Sequence, residues 1–249
     1  MRFNSFFLLL YILVLYTVPC YGGSISEIND NNQTLQNNLI FIGVSEKLSN
    51  RDDSIQAALL DAARKFSFFN SVSGIAITRD IIGNRTLDFR IETGYQLLYD
   101  EKLDKFLEQL EYNPLTDVFE INNTIFVVTR VTSNILMPLS IGFSFERERP
   151  YWIDLPPAEI NGFTVGVGFS SRFNFYSDTV IKSYEDAVLA IIENIEIHVM
   201  GESINYQNNQ TTLNITRSKG TLKNFYIIES WTDPVSHSVW TLAVANRSE

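Results

Sequence analysis

The sequence predicts an α+β fold built from two tandem repeats, each with a long helix packed on an antiparallel sheet. Two long segments, one in each half of the chain, carry apolar residues at helical spacing. Between and after these segments, apolar and polar residues alternate as they do in half-buried antiparallel strands. The same order of elements recurs in both halves, which is typical of an internal duplication.

Composition narrows the class of protein. The chain has 249 residues, of which 45% are hydrophobic, and a formal net charge of -10. The apolar fraction is typical of a folded globular protein. The acidic balance argues against a nucleic-acid partner, because phosphate binding needs clustered Lys and Arg. A single cysteine and two histidines, His198 and His237, supply few ligands for a metal centre. We therefore expect no metal and no cofactor.

Residues 1–22 are predicted to be a signal peptide. Arg2 precedes an apolar run at 6–18, which is shorter than the roughly 20 residues that a membrane-spanning helix needs. Cleavage after Gly22 fits the small residues found there. Cys20 is a candidate lipidation site, with cleavage before the cysteine, and an uncleaved anchor is the third alternative. We expect an exported protein, periplasmic or associated with the outer membrane, that contacts the membrane only through a lipid at Cys20.

The first repeat is predicted at 39–146, after a polar linker at 23–38. It opens with a short apolar strand at 39–45, and Asp52 or Asp53 is expected to cap the following helix. The apolar face of that helix consists of Ile55, Leu59, Ala62, Phe66 and Phe69. Alternating strands around a short helix complete the repeat, at 87–97, 103–110, 125–131 and 135–145.

The second repeat is predicted at 147–249, and residues 146–149 are interpreted as a solvated connection between the repeats. Its first strand, at 163–171, carries Gly166 and Gly168 on one face, which lets a helix approach closely. A helix at 178–198 follows. Further strands are expected at 203–206, 211–217, 225–231 and 239–245.

The two halves align by hand at two places. Residues 126–134 match 226–234 without a gap, and Gly43 matches either Gly166 or Gly168. Identities are few, and the order of the elements is what repeats. The alternative is one continuous domain in which these similarities arose by chance.

Three features of the second half occur together in one family. Residues 149–171 read RPYWIDLPPAEINGFTVGVGFSS, a helix with Ala187 and Ala190 follows, and residues 227–245 contain Trp-x-Asp before a final strand. In these features the chain resembles small bacterial envelope lipoproteins of the LPP type, a group related to flagellar accessory proteins. The resemblance implies a bacterial envelope protein with a structural or assembly role, other envelope proteins as partners, and no shared catalytic residues.

Catalysis and small-ligand binding remain as alternatives. Gly166-x-Gly168 lacks the rest of a dinucleotide fingerprint, and Asp233 and His237 fit a polar turn better than a catalytic triad. The candidates for a hydrolase with paired carboxylates are Asp88, Glu92, Asp154 and Glu229. A small-ligand-binding protein with a cleft between the repeats is the other alternative. We expect a protein that is not an enzyme.

Three aromatic residues, Phe173, Phe175 and Tyr176, lie in a polar segment before the second long helix. They are candidates for an exposed anchor that binds a protein partner. The alternative is that they cover the sheet or the other repeat. The sequence favours an exported, non-catalytic structural or protein-interaction module of a bacterial cell envelope, binding through sheet edges or these aromatic residues.

Overall fold

The computed structural model describes residues 35–83, 86–195, 198–206 and 209–247. The chain divides into two units, Met1–Thr34 and Leu35–Glu249. The predicted signal peptide, Cys20 and most of the predicted linker lie in the first unit, outside the described residues. The first strand begins at Leu35, so residues 35–38 of the predicted linker belong to that strand.

The described part of the chain mixes helices with mostly antiparallel strands, which confirms the predicted α+β class. Its first half contains β1 (Leu35–Glu46), α1 (Arg51–Asn70), β2 (Val72–Gly83), β3 (Thr86–Tyr99), α2 (Asp104–Leu107), β4 (Val118–Ile121) and β5 (Thr124–Pro138). Its second half contains β6 (Gly142–Ser144), a short 3-10 helix (Tyr151–Ile153), β7 (Glu159–Ile160), β8 (Phe163–Ser170), α3 (Tyr176–Ile195), β9 (His198–Tyr206), β10 (Asn209–Thr232) and β11 (Val239–Arg247).

The strands form two sheets. The smaller sheet has the order β1-β5-β4, and the larger has the order β3-β2-β10-β11-β8-β7, with β6 and β9 also paired to β10. The β6–β10 pair is parallel, and the other pairs of the described strands are antiparallel. Strand β10 is 24 residues long, so the two strands predicted at 211–217 and 225–231 are parts of one strand. Pairing with neighbours along its whole length keeps this segment extended through Gly220.

Both long helices differ from the prediction at their ends. Helix α1 is capped by Asn50, whose side-chain oxygen accepts from Asp52 N at 3.0 Å, so the predicted caps Asp52 and Asp53 lie inside the first turn. Acidic residues there complement the helix dipole. Helix α3 ends at Ile195. The sequence had indicated that the helix ends at His198, and this prediction is wrong. His198 begins β9.

Glycines bring each long helix close to its sheet. A β-carbon on Gly43 of β1 would overlap the carbonyl oxygen of Ala58 in α1. A β-carbon on Gly168 of β8 would overlap the carbonyl oxygen of Ser183 in α3. The predicted glycine face of β8 is therefore the face on which the helix packs, because only a residue without a side chain leaves this space.

The two long helices also contact each other through a buried polar cluster. Asp61 of α1 is 3% exposed, and it accepts hydrogen bonds from Val44 N (3.0 Å), Lys65 Nζ (2.7 Å) and the hydroxyl of Tyr184 on α3 (2.8 Å). The ring of Tyr184 meets that of Phe68 edge-on, at 5.8 Å between centroids. Burial lowers the pKa of Lys65 and raises the pKa of Tyr184. A buried carboxylate is tolerated here because it is both paired and hydrogen-bonded.

Among the described residues, the helices are too short or too polar to cross a membrane.

Candidate functional site

A groove with a volume of about 190 Å³ lies beside strand β8, and we call it the β8 groove. Strand β3, strand β8, the segment after β8 and helix α3 supply its walls. The lining residues are Tyr95, Phe169, Ser170, Ser171, Phe173, Lys182, Asp186 and Leu189.

Three peptide groups on the outer edge of β8, beyond its pairing with β7, have partners among the described residues. They are bonded as Val165 N to Ala158 O (3.3 Å), Asn194 Nδ2 to Val165 O (3.1 Å) and Phe169 N to Asp186 Oδ2 (2.8 Å). Because alternate residues of an antiparallel strand direct their N–H and C=O to opposite sides, Val167 points to the same side as Val165 and Phe169.

Val167 lies between these two bonded residues on the same edge. Strand β7 pairs only with Phe163 and Thr164, at the start of β8. No side chain in the described part of the chain hydrogen-bonds to the peptide groups of Val167. The edge is therefore open at one residue, next to the β8 groove.

The corresponding edge of β1 is bonded by side chains at three groups. Among the described strands, none pairs with β1 on the side away from β5. Ile40 N donates to the hydroxyl oxygen of Tyr226 (3.1 Å), Lys65 Nζ donates to Ile42 O (2.6 Å), and Val44 N donates to Asp61 Oδ2 (3.0 Å).

The difference between the two edges depends on one helix position. Lys65 lies one turn after Asp61 in α1, and its ammonium closes the edge of β1. Ala190 lies one turn after Asp186 in α3. An alanine side chain has no donor, so the carbonyl of Val167 has no equivalent of the lysine bond.

Exposed aromatic rings flank the open edge. Phe169 is 41% exposed and Phe173 is 46% exposed. The ring of Phe169 lies against Trp240 of the neighbouring strand, with 4.4 Å between centroids. Large aromatic side chains held in place beside a pocket are typical anchors of protein interfaces.

The polar wall of the β8 groove is fixed by its own contacts. Lys182 Nζ lies 3.6 Å from the centroid of the Tyr95 ring, a cation–π contact. The hydroxyl of Tyr95 donates to Glu185 at 2.9 Å. Burial raises the pKa of Glu185, and the nearby ammonium of Lys182 opposes that rise. This wall is therefore preorganised on α3 and β3.

The three predicted aromatic residues separate in the structure. Phe173 lines the β8 groove, whereas Phe175 is exposed outside its lining. Tyr176 turns into the core, where its ring lies 6.2 Å from that of Phe126 and its hydroxyl is 2.7 Å from the hydroxyl of Thr232. Burial raises the pKa of Tyr176. Phe173 and Phe175 are thus exposed, whereas Tyr176 packs against the core.

The candidate carboxylates have different environments. Asp154 is exposed and pairs with Arg149 at 2.6 Å, whereas Glu229 is fully buried and accepts from Trp152 Nε1 at 2.9 Å. The side chains of Asp88 and Glu92 lie outside the described part of the chain. Within the described residues no three His, Cys, Asp or Glu side chains form a metal-binding group.

The polar turn before β11 has the geometry expected of a turn. The carboxylate of Asp233 accepts from Val235 N and Ser236 Oγ, both at 2.8 Å. These bonds lower the pKa of Asp233. His237 has a positive φ of 59° and donates its backbone N–H to Asp233 O. Asp233 thus stabilises the turn.

A second cavity lies between β1 and the β6–β10 pair, and its volume is about 20 Å³. Ile42, Lys65, Phe143 and Ile227 are among its lining residues. That volume is enough for one water molecule. It is far below the roughly 300–1,000 Å³ of typical small-molecule pockets.

No family model, curated protein or solved structure matches the chain. The site is interpreted from its own geometry.

Sequence reasoning missed most of the β8 groove. It singled out Phe173 and the general importance of sheet edges, and it missed the groove residues Tyr95, Lys182 and Asp186. One signal in the sequence does point to the helix residues. Asp-Ala occurs at the same distance after Gly43 and after Gly168, at 61–62 and 186–187.

Proposed function

We propose that this protein is an exported, non-catalytic interaction module of a bacterial cell envelope, and that it binds an extended segment of a partner envelope protein at the β8 groove. The observation that carries the proposal is the exposure of the Phe169 and Phe173 rings at the β8 groove, next to Val167, whose peptide groups have no side-chain partner among the described residues. An added strand forms main-chain hydrogen bonds at such an edge, and pockets for its side chains give specificity.

The short open edge favours an extended peptide with one anchoring side chain. In the described part of the chain, Val167 lies open between the bonded groups Val165 O and Phe169 N. Main-chain pairing there is confined to a few bonds. A side chain inserted beside Phe173 supplies the remaining contact, and the volume of about 190 Å³ suits a side chain better than a whole small-molecule ligand.

The export part of the proposal is supported by the sequence of residues 1–22. The apolar run with Arg2 before it and small residues after it is typical of a signal peptide. The resemblance to LPP-type envelope lipoproteins supports the same location. Cys20 is the proposed lipid attachment site if cleavage occurs before it.

We also infer that the described chain consists of two tandem repeats, in a different alignment from the one that the apolar strands favour. Equivalent hydrogen bonds recur at a separation of 125 residues. The two pairs of bonds are Val44 N to Asp61 with Phe169 N to Asp186, and Leu48 N to Ser54 Oγ with Phe173 N to Thr179 Oγ1. Gly43 and Gly168 have the same separation and the same role against their helices.

The alignment at a separation of 125 residues takes the place of the alignment of 126–134 with 226–234. The latter makes β5 equivalent to β10. In the smaller sheet β5 lies between β1 and β4, and in the larger sheet β11 lies between β8 and β10. The equivalent of β5 is therefore β11. Under this inference the second repeat retains the aspartate of the first and lacks its lysine, and that substitution opens the binding edge.

The test restores the missing lysine. In the Ala190→Lys variant, a lysine one turn after Asp186 is expected to reach the carbonyl of Val167, as Lys65 reaches Ile42. Random heptapeptides displayed on phage are selected on the full chain, and the enriched peptide is measured by fluorescence anisotropy. We expect Ala190→Lys to weaken binding at least tenfold, which is about 1.4 kcal/mol. Leu115→Lys adds the same charge at a residue that is 92% exposed and serves as the control.

A second pair of variants tests the anchor. Phe173→Ala removes a ring of the β8 groove, and Phe175→Ala removes an equally exposed ring outside its lining. We expect the first to weaken binding and the second to leave it within about twofold. Enrichment of no peptide, or equal binding by Ala190→Lys and the wild type, would overturn the proposal.

A further inference from the structure

Glu229 is a buried acid with an incomplete set of partners. A register shift between Ile227 and Glu229 interrupts the pairing of β10 with β11, and shifts of this kind redirect side chains. The side chain of Glu229 meets the 3-10 helix Tyr151–Ile153, and its Oε2 accepts from Trp152 Nε1 at 2.9 Å. Its Oε1 is buried without a hydrogen-bond partner among the described residues, and so is the hydroxyl of Tyr151.

No positive charge compensates this carboxyl group. The described residues give Glu229 no ion pair, and the titratable groups that face it are Tyr151 and Glu146. Glu146 is itself acidic. Arg149 is engaged elsewhere, since its guanidinium pairs with Asp154 and lies 5.2 Å from the Trp240 ring. An ionised carboxylate in this environment is strongly disfavoured relative to the neutral acid.

The same acid fastens a segment of chain to the sheet. Residues 146–153 connect β6 to the second half of the larger sheet, and two indole groups attach them. Trp152 is fully buried and donates to Glu229, while Trp231 of β10 donates to Glu146 O at 2.9 Å. Loss of the Glu229 contact removes the attachment at the buried end of the segment.

We propose that Glu229 is a proton-dependent latch, whose neutral carboxyl group keeps residues 146–153 packed on the sheet and whose ionisation releases them. The structure supports the direction of the change. Burial raises the pKa of Glu229 to about 7, and the charge of Glu146 adds to this, whereas the bond from Trp152 opposes it. In the released segment the carboxyl group is solvated, and its pKa returns to an ordinary value of about 4.3.

The sign of the pH dependence follows from these two values. The closed form binds the proton more tightly, so opening becomes more favourable as the pH rises above the ordinary pKa of a glutamate. The opening equilibrium stops changing with pH above the raised pKa of about 7, because the closed form also loses its proton there. Between pH 6 and 8 the opening equilibrium is expected to increase about tenfold.

Hydrogen exchange of residues 146–153 in the full chain tests the latch. Rates are measured by mass spectrometry from pH 5.5 to 8.5 and corrected for the intrinsic pH dependence of exchange. We expect the wild type to open about tenfold more at pH 8 than at pH 6. Glu229→Gln has nearly the same shape and no ionisable group, so its corrected exchange is expected to be independent of pH.

Two further measurements keep the inference falsifiable if Glu229→Gln folds poorly. Glu146→Gln keeps the latch and removes the neighbouring charge, so its transition is expected at a lower pH than that of the wild type. The carboxyl carbon of Glu229, observed by NMR in the wild type, is expected to titrate near neutral pH. A wild-type segment with no pH dependence, or a Glu229 carboxyl that titrates as an ordinary glutamate does, would overturn the latch.

Discussion

The hydroxyl of Tyr184 donates to Asp61 at 2.8 Å, and this bond joins the two long helices across the core. Asp61 belongs to α1, whereas Tyr184 belongs to α3. Helix α1 packs mainly on β1 and also contacts β10, whereas α3 packs mainly on β8 and β11, so the bond links two helices that are far apart in the sequence.

Tyr184→Phe is expected to lower the free energy of unfolding by about 1.5–3 kcal/mol, because it removes a hydrogen bond to a buried charged group. Tyr176→Phe removes a hydroxyl contact of 2.7 Å with Thr232, a neutral partner, and is expected to cost about 1 kcal/mol. Urea unfolding of both variants gives the comparison. Equal losses would mean that the charge of Asp61 adds nothing to the bond.

Lys65→Met is expected to destabilise the protein by about 3–5 kcal/mol, because it leaves the carboxylate of Asp61 buried without its cation. The control is Lys47→Met. Lys47 pairs with Glu120 at 2.7 Å on the surface, and the loss of an exposed pair costs less than about 1 kcal/mol. Thermal unfolding of the two variants at one pH measures the difference. A cost for Lys65→Met as small as that for Lys47→Met would contradict the role assigned to the buried pair.

Gly168→Ala is expected to cost about 3 kcal/mol, because its β-carbon would overlap the backbone of α3 at Ser183. In Gly220→Ala the new β-carbon would lie 3.3 Å from the side chain of Ile192, which can shift. We expect a change of less than about 1 kcal/mol for that variant. Chemical denaturation distinguishes the two, and similar values would show that α3 can move away from β8 at little cost.

The mature protein, purified from its own cells after separation of membrane and soluble fractions, is expected to lack the signal peptide. An intact mass beginning at Gly23 indicates a soluble exported protein, whereas a lipidated Cys20 at the N-terminus indicates a tethered lipoprotein. A chain that retains Met1 in full would contradict the proposed export signal.

Local patterns in the sequence were enough to predict the helices and the glycine contacts. The apolar spacing of α1 and α3 indicates amphipathic helices wherever it occurs. Gly166 and Gly168 indicate a close approach because their strand face lacks side chains. Both inferences need only residues that are neighbours in the sequence.

The features that were predicted wrongly or missed depend on contacts between residues that are far apart in the sequence. Apolar strands resemble one another because their period is two, so 126–134 aligns with 226–234 although β5 and β10 occupy different positions in their sheets. Tyr176 is partly buried because its ring packs near Phe126 and its hydroxyl contacts that of Thr232, and nothing near Tyr176 in the sequence indicates these partners. The role proposed for Ala190 rests on its comparison with Lys65, which depends on the proposed equivalence of the two helices.

The pairing of β10 has a consequence for the order in which the molecule folds. This strand pairs with β2 and β9 along its first part and with β11 and β6 along its last part. Its contact with β2 closes a loop of more than half the chain, and such closures slow folding. Strand β2 leaves a ribosome well before β10 is synthesised, so during translation the edge of β2 that pairs with β10 has no partner strand. Cells that make this protein in large amounts therefore have reason to shield the nascent chain from aggregation until its last third has emerged.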